Sequence, residues 1–342
     1  MNLKKFIINF LLISCILLLN GCIDEETTNG KYDIYVGANI NNGYSTIQKA
    51  IENSSNGDSI FIYDGLYNEN IIINKSISII GESNDKTIIN YIGNQYQEIS
   101  FITLLADNCT IDNIKINNSN GTDNVLGIVI KSSNNIIINT SITNTEKGIY
   151  IDSDYNVNSR NNSIVMNNFS NNNYGLHVTY SNNNNISKNN IFNNKEYGIY
   201  LQSSEYNIIS YSKYAGNDCG IRLKTSKYNK ITYNNISFNK KGLYICCGSY
   251  NNNIHHNNFI NNDLSADDGY TTQYYTSSSP FEGNYWSDFK PSINASDKYT
   301  GKNYDILGSD GIWDNSSYLI YRGDNEDIYP FVNPILLNLN LK

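Results

Sequence analysis

Val129, Tyr150, His177, Tyr200, Arg222 and Tyr244 all stand second after a glycine in a recurring phrase: glycine, aliphatic, any residue, aliphatic. Two residues further on come Lys131, Asp152, Thr179, Gln202, Lys224 and Cys246. Tyrosine can stack on the apolar face of a sugar ring, and Arg or Lys can pair with the carboxylates of acidic glycans. Tyr150, His177, Tyr200, Arg222 and Tyr244 are therefore the candidate ligand-binding residues. The same rows offer weaker catalytic candidates. Arg222 or Lys224 could act as base for β-elimination from a uronic acid, or Asp152, Glu196 and Asp218 could supply paired carboxylates. No acid/base pair recurs at a regular spacing, so binding without catalysis is the first reading. Tyr206, Tyr228 and Tyr250 repeat the 22-residue step and suggest a second stack. The plainer alternative is that such Tyr and Arg piles only tie neighbouring repeats together through cation–π contact.

These rows imply a particular scaffold. The glycines at 127, 148, 175, 198, 220 and 242 lead the phrase, the last three 22 residues apart. A fixed period in the twenties marks a solenoid. Within each repeat the aliphatic residues alternate, so they share one face of a strand. Asn-rich turns and further short apolar runs follow, giving about three strands of about four residues per repeat. The expected fold is all-β: a single-stranded right-handed parallel β-helix of ~22-residue coils, each lidded by its neighbours at about 4.8 Å. Ile128, Ile149, Leu176, Ile199, Ile221 and Leu243 should form one inward column. Ile130, Ile151, Val178, Leu201, Leu223 and Ile245 should form another. Asn suits the corners because it tolerates a left-handed backbone and can bond to its copies up the stack.

The expected organisation is a signal peptide over 1–21, a tether over 22–31, the β-helix over 32–278 and a C-terminal capping segment over 279–342. Lys4 and Lys5 precede an apolar run too short to span a bilayer comfortably. The run ends in Leu19-Asn20-Gly21-Cys22, which resembles the lipobox of prokaryotic lipoproteins. That resemblance implies lipidation at Cys22 and a location on the outer face of the cytoplasmic membrane or the cell surface. Ile47, Ala50 and Ile51 have helical spacing, with Ser45 placed to cap, so a short helix should plug the first coil. The chain has a net charge of −8, which argues against nucleic acid as a partner. A cell-surface glycan or another envelope protein is the expected partner, with the membrane reached only through the lipid, and the chain is expected to be a monomer. Sequons at Asn53, Asn74, Asn108, Asn139, Asn168, Asn185, Asn235 and Asn294 suit an exported chain or follow from an Asn-rich composition. Besides Cys15 and Cys22, the cysteines are Cys109, Cys219, Cys246 and Cys247. Mostly free thiols are expected, with a Cys246–Cys247 link as the lesser alternative.

The stretch STIQKAI, followed by GDSIFIYDGLYNENIIINKSISIIG, resembles the N-terminal signature of pectin-lyase-like right-handed β-helices, and particularly the NosD-type repeat family. The tail segments Gly283–Asp288, Asp310–Asp314 and Asp327–Pro330 resemble the segment that closes NosD-like repeats in archaeal surface proteins. The resemblance implies the fold, but the fold hosts lyases, hydrolases, esterases, epimerases and non-enzymes. Asp218 to Lys224 is similar to the Arg-aliphatic-Lys element of polygalacturonases. Their Gly-His-Gly and paired-Asp motifs are missing, as is the Asp-Phe-Ile-Phe-Gly element of pectin methylesterases. A polysaccharide lyase, hydrolase or epimerase is thus the alternative reading. The family also includes a copper-binding maturation factor of nitrous oxide reductase, which implies soft ligands at Cys246, Cys247, Cys219, His255 and His256. One residue of each adjacent pair should then point inward. Relatives carry a calcium-suited Asp-x-Asp-x-Asp-Gly loop in the tail. Here Asp305, Asp310 and Asp314 remain, with Ser309 in place of an Asp.

Overall fold

A computed structural model describes residues 31–38, 40–90, 99–119, 121, 124–153, 159–269, 271–278, 281–300, 303 and 306–339. Residues 34–342 form one compact unit. The expectations for the signal segment, Cys22, nearly all of the tether and Asp305 lie outside the described residues.

Strands of two to six residues wind into a right-handed parallel β-helix with coils of about 23 residues. Three parallel sheets run its length. The first holds ten strands, from Ile34–Val36 to Asn253–His255, and the third ten, from Gly65–Asn68 to Tyr285–Trp286. Between them in each coil comes the nine-stranded Gly-led sheet, from Ile71–Ile73 to Leu264–Asp267. Its glycines permit close approach. A Cβ on Gly198 would stand 2.5 Å from the carbonyl oxygen of Gly220.

The inward columns are as the alternation predicts. Ile128, Ile149, Leu176, Ile199, Ile221 and Leu243 stack in register, each fully buried. The third sheet adds a wider column: Phe169, Ile191, Tyr214, Ile236, Phe259 and Trp286. Strands of three residues hold together because their corners repeat as faithfully as they do. Each coil turns on a residue in the left-handed region followed by a buried polar residue, usually Asn. Asn184, Asn207, Asn229, Asn252 and Gln273 form one such ladder, every amide nitrogen donating to the next side-chain oxygen at 2.8–3.0 Å. Asn194, Asn217, Asn239 and Asn262 form a second, and Asn234, Asn257 and Asn284 continue a third. The ladders satisfy amides that burial would otherwise penalise.

Both ends are covered. The helix Ile47–Asn53 buries Ile47, Ala50 and Ile51. Its cap differs from expectation. Thr46 is the N-cap and makes no side-chain cap bond; the backbone N–H groups of Ile47 and Gln48 donate instead to the Glu69 carboxylate at 2.9 Å. A full carboxylate at that end also complements the helix dipole, which a serine cannot do. At the other end Trp286 stacks on Phe259 at 4.3 Å and Tyr318 on Trp286 at 4.2 Å. Trp286 therefore covers the last coil and Tyr318 forms the outer layer, while Tyr285 and Trp313 stay partly exposed. The buried Asp327 accepts the Trp286 indole N–H at 2.8 Å and the Asn284 amide N–H at 2.7 Å. Burial pushes its carboxyl up to about 6.

Candidate functional site

The Gly-led sheet aligns the sequence-predicted residues. Tyr150, His177, Tyr200, Arg222, Tyr244 and Asp267 share one row of the register. Tyr150 and His177 lie 5.1 Å apart at 27°, His177 and Tyr200 4.7 Å apart at 6°. Cations close the pile. Lys147 sits 4.0 Å above Tyr150, and Arg222 lies 5.7 Å from Tyr200 and 4.2 Å from Tyr244. Lys241 covers Tyr244 at 4.2 Å.

This geometry changes the expected chemistry. The rings of the row lie against one another, so their faces are occupied and a sugar ring cannot stack on them. What the row presents outward is ring edges, phenolic hydroxyls and cationic heads. His177 is sandwiched and buried, and its Nδ1 has no hydrogen-bond partner among the described residues. Burial, and then Lys147, push it down to about 3, so it remains a neutral part of the pile. Arg222 hydrogen-bonds the Tyr244 phenol and thereby pulls that phenol below its usual pKa. Burial works against the Arg222 charge, but Tyr244 and the other rings hold its pKa above the ordinary value, the wrong direction for a general base.

The carboxylate candidates do not converge. Asp152 pairs with Lys131 at 3.4 Å, Asp218 with Lys240, and Glu196 accepts the Tyr174 hydroxyl at 2.8 Å. Asp152 ends its strand, whereas Glu196 and Asp218 precede theirs at the opposite corner. Among the described residues neither Arg222 nor Lys224 forms an ion pair with a carboxylate. The face therefore carries two cations that pair with no carboxylate among the described residues.

Sequence reasoning missed the flanking row. Lys147, Tyr174, Tyr197, Cys219 and Lys241 lie in register one place before the glycines. Tyr174 and Tyr197 pack at 5.3 Å, and Tyr197 lies 5.6 Å from Arg222. The signal was present in the Tyr-Gly and Lys-Gly pairs of successive repeats. Another missed column is Tyr211 and Tyr233, stacked at 5.0 Å, with His256 next at 4.8 Å. The predicted Tyr206, Tyr228 and Tyr250 stack is correct for its first pair, at 5.2 Å and 12°. Its last member is out of step, since Tyr250 pairs with Lys227 and meets Tyr228 edge-on at 79°.

Comparison with known proteins places this arrangement. The profile of the NosD family, described as periplasmic copper-binding protein, matches residues 51–291. The chain belongs to the NosD family. A cell surface glycoprotein of Methanothermus fervidus is 36% identical over 113 residues, 32% of this chain and 18% of the relative, so the chain spans under a fifth of that protein. Among solved structures, pectate lyase Pel9A is similar with a TM-score of 0.53 at 15% identity, covering 71% of this chain and 72% of the lyase. The C387A mutant of DFA-IIIase from Arthrobacter chlorophenolicus A6 has a TM-score of 0.55 at 11% identity, covering 70% and 69%. At such identities these likenesses show the fold alone.

The donors among the described residues do not fit the copper that the family description implies. Cys246 and Cys247 are joined by a disulfide, the lesser alternative for this pair, so neither is a thiolate ligand in this state. Neither side chain points into the core. Cys246 lies in register with Lys224 and its Sγ accepts from Arg222 at 3.3 Å, while Cys247 is exposed in the turn. The histidines also face outward, Ile254 being the inward residue. Their Nδ1 atoms lie 2.6 Å apart and His256 Nε2 is taken by Glu282. Cys219 and Cys109 are free and buried. Of the calcium candidates, Asp314 Oδ2 accepts the backbone N–H groups of Lys298 and Tyr299, and Asp310 accepts that of Ile312. Among the described residues no three His, Cys, Asp or Glu side chains gather as a metal site.

Proposed function

We propose that this chain is an extracytoplasmic surface protein that binds acidic glycan on its Gly-led face and does not transform it. The supporting observation is Arg222 with Lys224, two neighbouring cations on a flat face that lack a carboxylate partner among the described residues. A uronate carboxylate supplies that partner, and the phenolic edges of Tyr200 and Tyr244 hydrogen-bond its hydroxyls. The separation of Asp152, Glu196 and Asp218 supports binding over hydrolysis. Extracytoplasmic location is supported by the periplasmic description of the family and by the surface glycoprotein relative. Among the described residues no helix is long and apolar enough to cross a membrane. Anchoring is assigned to lipid on Cys22, which mass spectrometry of the mature chain tests directly.

Titration calorimetry with tetragalacturonate tests the binding reading. The parent should bind, more weakly as salt rises. Arg222→Ala with Lys224→Ala should lose about tenfold or more in affinity. No unsaturated or reducing ends should accumulate on long incubation. Equal affinity in the double variant, or any such ends, would overturn the reading.

A further inference from the structure

The corner between the third sheet and the Gly-led sheet carries a groove of about 460 Å³, separate from the Arg222 row. It is lined by successive coils, and its centre is a change in one column. The left-handed corner position reads Asn193, Gly216, Phe238 and Asn261, each one residue before a rung of the Asn194–Asn262 ladder. Gly216 removes a side chain from that column. Phe238, one coil on, is 65% exposed and lines the same groove.

Phe238, like Tyr180, is an exposed aromatic at a left-handed corner, and it alone of the two lines this groove. It holds φ at +55°, a region that bulky side chains avoid. Tyr211 and Tyr233 share that strain at another corner, but they bury their faces on each other. Among the described residues no ring packs against Phe238. Asn, as used at 193 and 261, would satisfy the backbone without strain. A strained, exposed aromatic one coil on from a glycine is an observed outlier of the kind that clusters at ligand sites.

The lining defines the ligand. Phe238 offers an apolar ring face. The tip of Asn193 leans over Gly216, its Oδ1 2.5 Å from where a Cβ would stand, and Asn261 adds a second amide. Lys195, Asp218, Lys240 and Asp263 alternate in sign along the groove, two cations against two carboxylates, with Lys240 already paired to Asp218. Such a lining does not select a charged ligand. It suits a molecule with one apolar face and a rim of hydroxyls. The coil spacing of about 4.8 Å is close to the length of one linked hexose, so the groove can follow a short chain of them. We propose that this groove binds a neutral hexopyranose oligosaccharide, with one sugar ring seated against Phe238 and hydrogen-bonded by the Asn193 amide that covers Gly216.

The proposal stands independently of the uronate face, and one experiment separates them. Mature chain is titrated calorimetrically with cellotetraose, mannotetraose and tetragalacturonate. The variants are Phe238→Asn and Gly216→Asn, each installing the residue that the column uses elsewhere, so the fold is retained. Circular dichroism and thermal unfolding verify this. At least one neutral probe should bind the parent, and both variants should weaken it by about tenfold or more. Their effect on tetragalacturonate should be under about twofold. Unchanged affinity for the neutral probe in both variants would overturn the groove assignment, as would failure of the parent to bind either neutral probe. Loss of tetragalacturonate binding through Arg222→Ala with neutral binding intact would leave this groove standing.

Discussion

The row through His177 and the corner through Phe238 are built by the same repeat and end in opposite states. In the row every coil from Tyr150 to Tyr244 contributes a ring or a cation, so each face meets a neighbour 4–6 Å away and the pile is closed. At the corner one coil contributes glycine, and the ring above it stays open. A β-helix thus sets recognition by whether a column is complete. Full columns display edges and charge, and interrupted ones display faces. The disulfide of Cys246 and Cys247 lies at the closed end, against Arg222, and the conformational strain of Phe238 lies at the open one.

Three changes test how independent these surfaces are. The largest effect should come from Leu223→Asp. Its side chain is fully buried directly behind the row, and an unpaired carboxylate there should cost roughly 4 kcal/mol or more and abolish both surfaces together. A variant melting like the parent would disprove the inward column on which the comparison stands. Asn229→Ala should cost about 2–4 kcal/mol. It leaves the buried backbone N–H and Nδ2 of Asn207 without the Asn229 Oδ1 that accepts from both, while Asn252 Oδ1 keeps the backbone N–H of residue 229. Thermal unfolding should fall while both ligand affinities hold, since Asn229 reaches neither surface. Lost binding in a folded variant would mean that the ladder positions the ligand groups.

The smallest effect concerns acid. His177 falls from 6.5 unfolded to about 3 folded because burial, then Lys147, disfavour its charge. Its contribution is complete above pH 6.5 and is lost as pH falls toward 3. His255, lowered to about 4, acts in the same direction. Asp327 acts oppositely: raised from 3.8 to about 6, it contributes below pH 3.8 and loses that as pH rises through 6. His177→Tyr keeps a ring in the pile and removes one acid-sensitive group. Between pH 7 and pH 4 it should lose roughly 1–3 kcal/mol less stability than the parent. Parallel pH profiles in denaturant titration would show that His177 is not held neutral by the closed row.

The coil, its inward columns and the Asn corners were legible because each repeats a local rule dozens of residues long. Alternation fixes which of Ile221 and Arg222 faces in, and the 22-residue step fixes what lies above it. What escaped depended on exceptions to the rule. Tyr250 falls one place out of step because its coil is a residue longer at that point. The helix cap is Glu69, about one coil beyond the helix, where no local motif points. The open groove follows from Gly216 and Phe238 exchanging places with Asn in a corner column, and a reading centred on the Gly-led phrase does not visit that column. The Cys246–Cys247 pairing required the backbone of a turn that the pattern alone does not specify.

The side-chain amides at the three corners carry one more implication. Where each rung accepts from and donates to a copy of itself, as along Asn194, Asn217, Asn239 and Asn262, removing or duplicating one coil leaves that corner's seam chemically identical to its neighbours. Length is therefore a freely adjustable quantity in this architecture, while the identities at any single outward position can drift without disturbing the hydrogen bonds beneath. A new recognition surface can then arise by duplicating one turn and editing two residues, with no redesign of the interior.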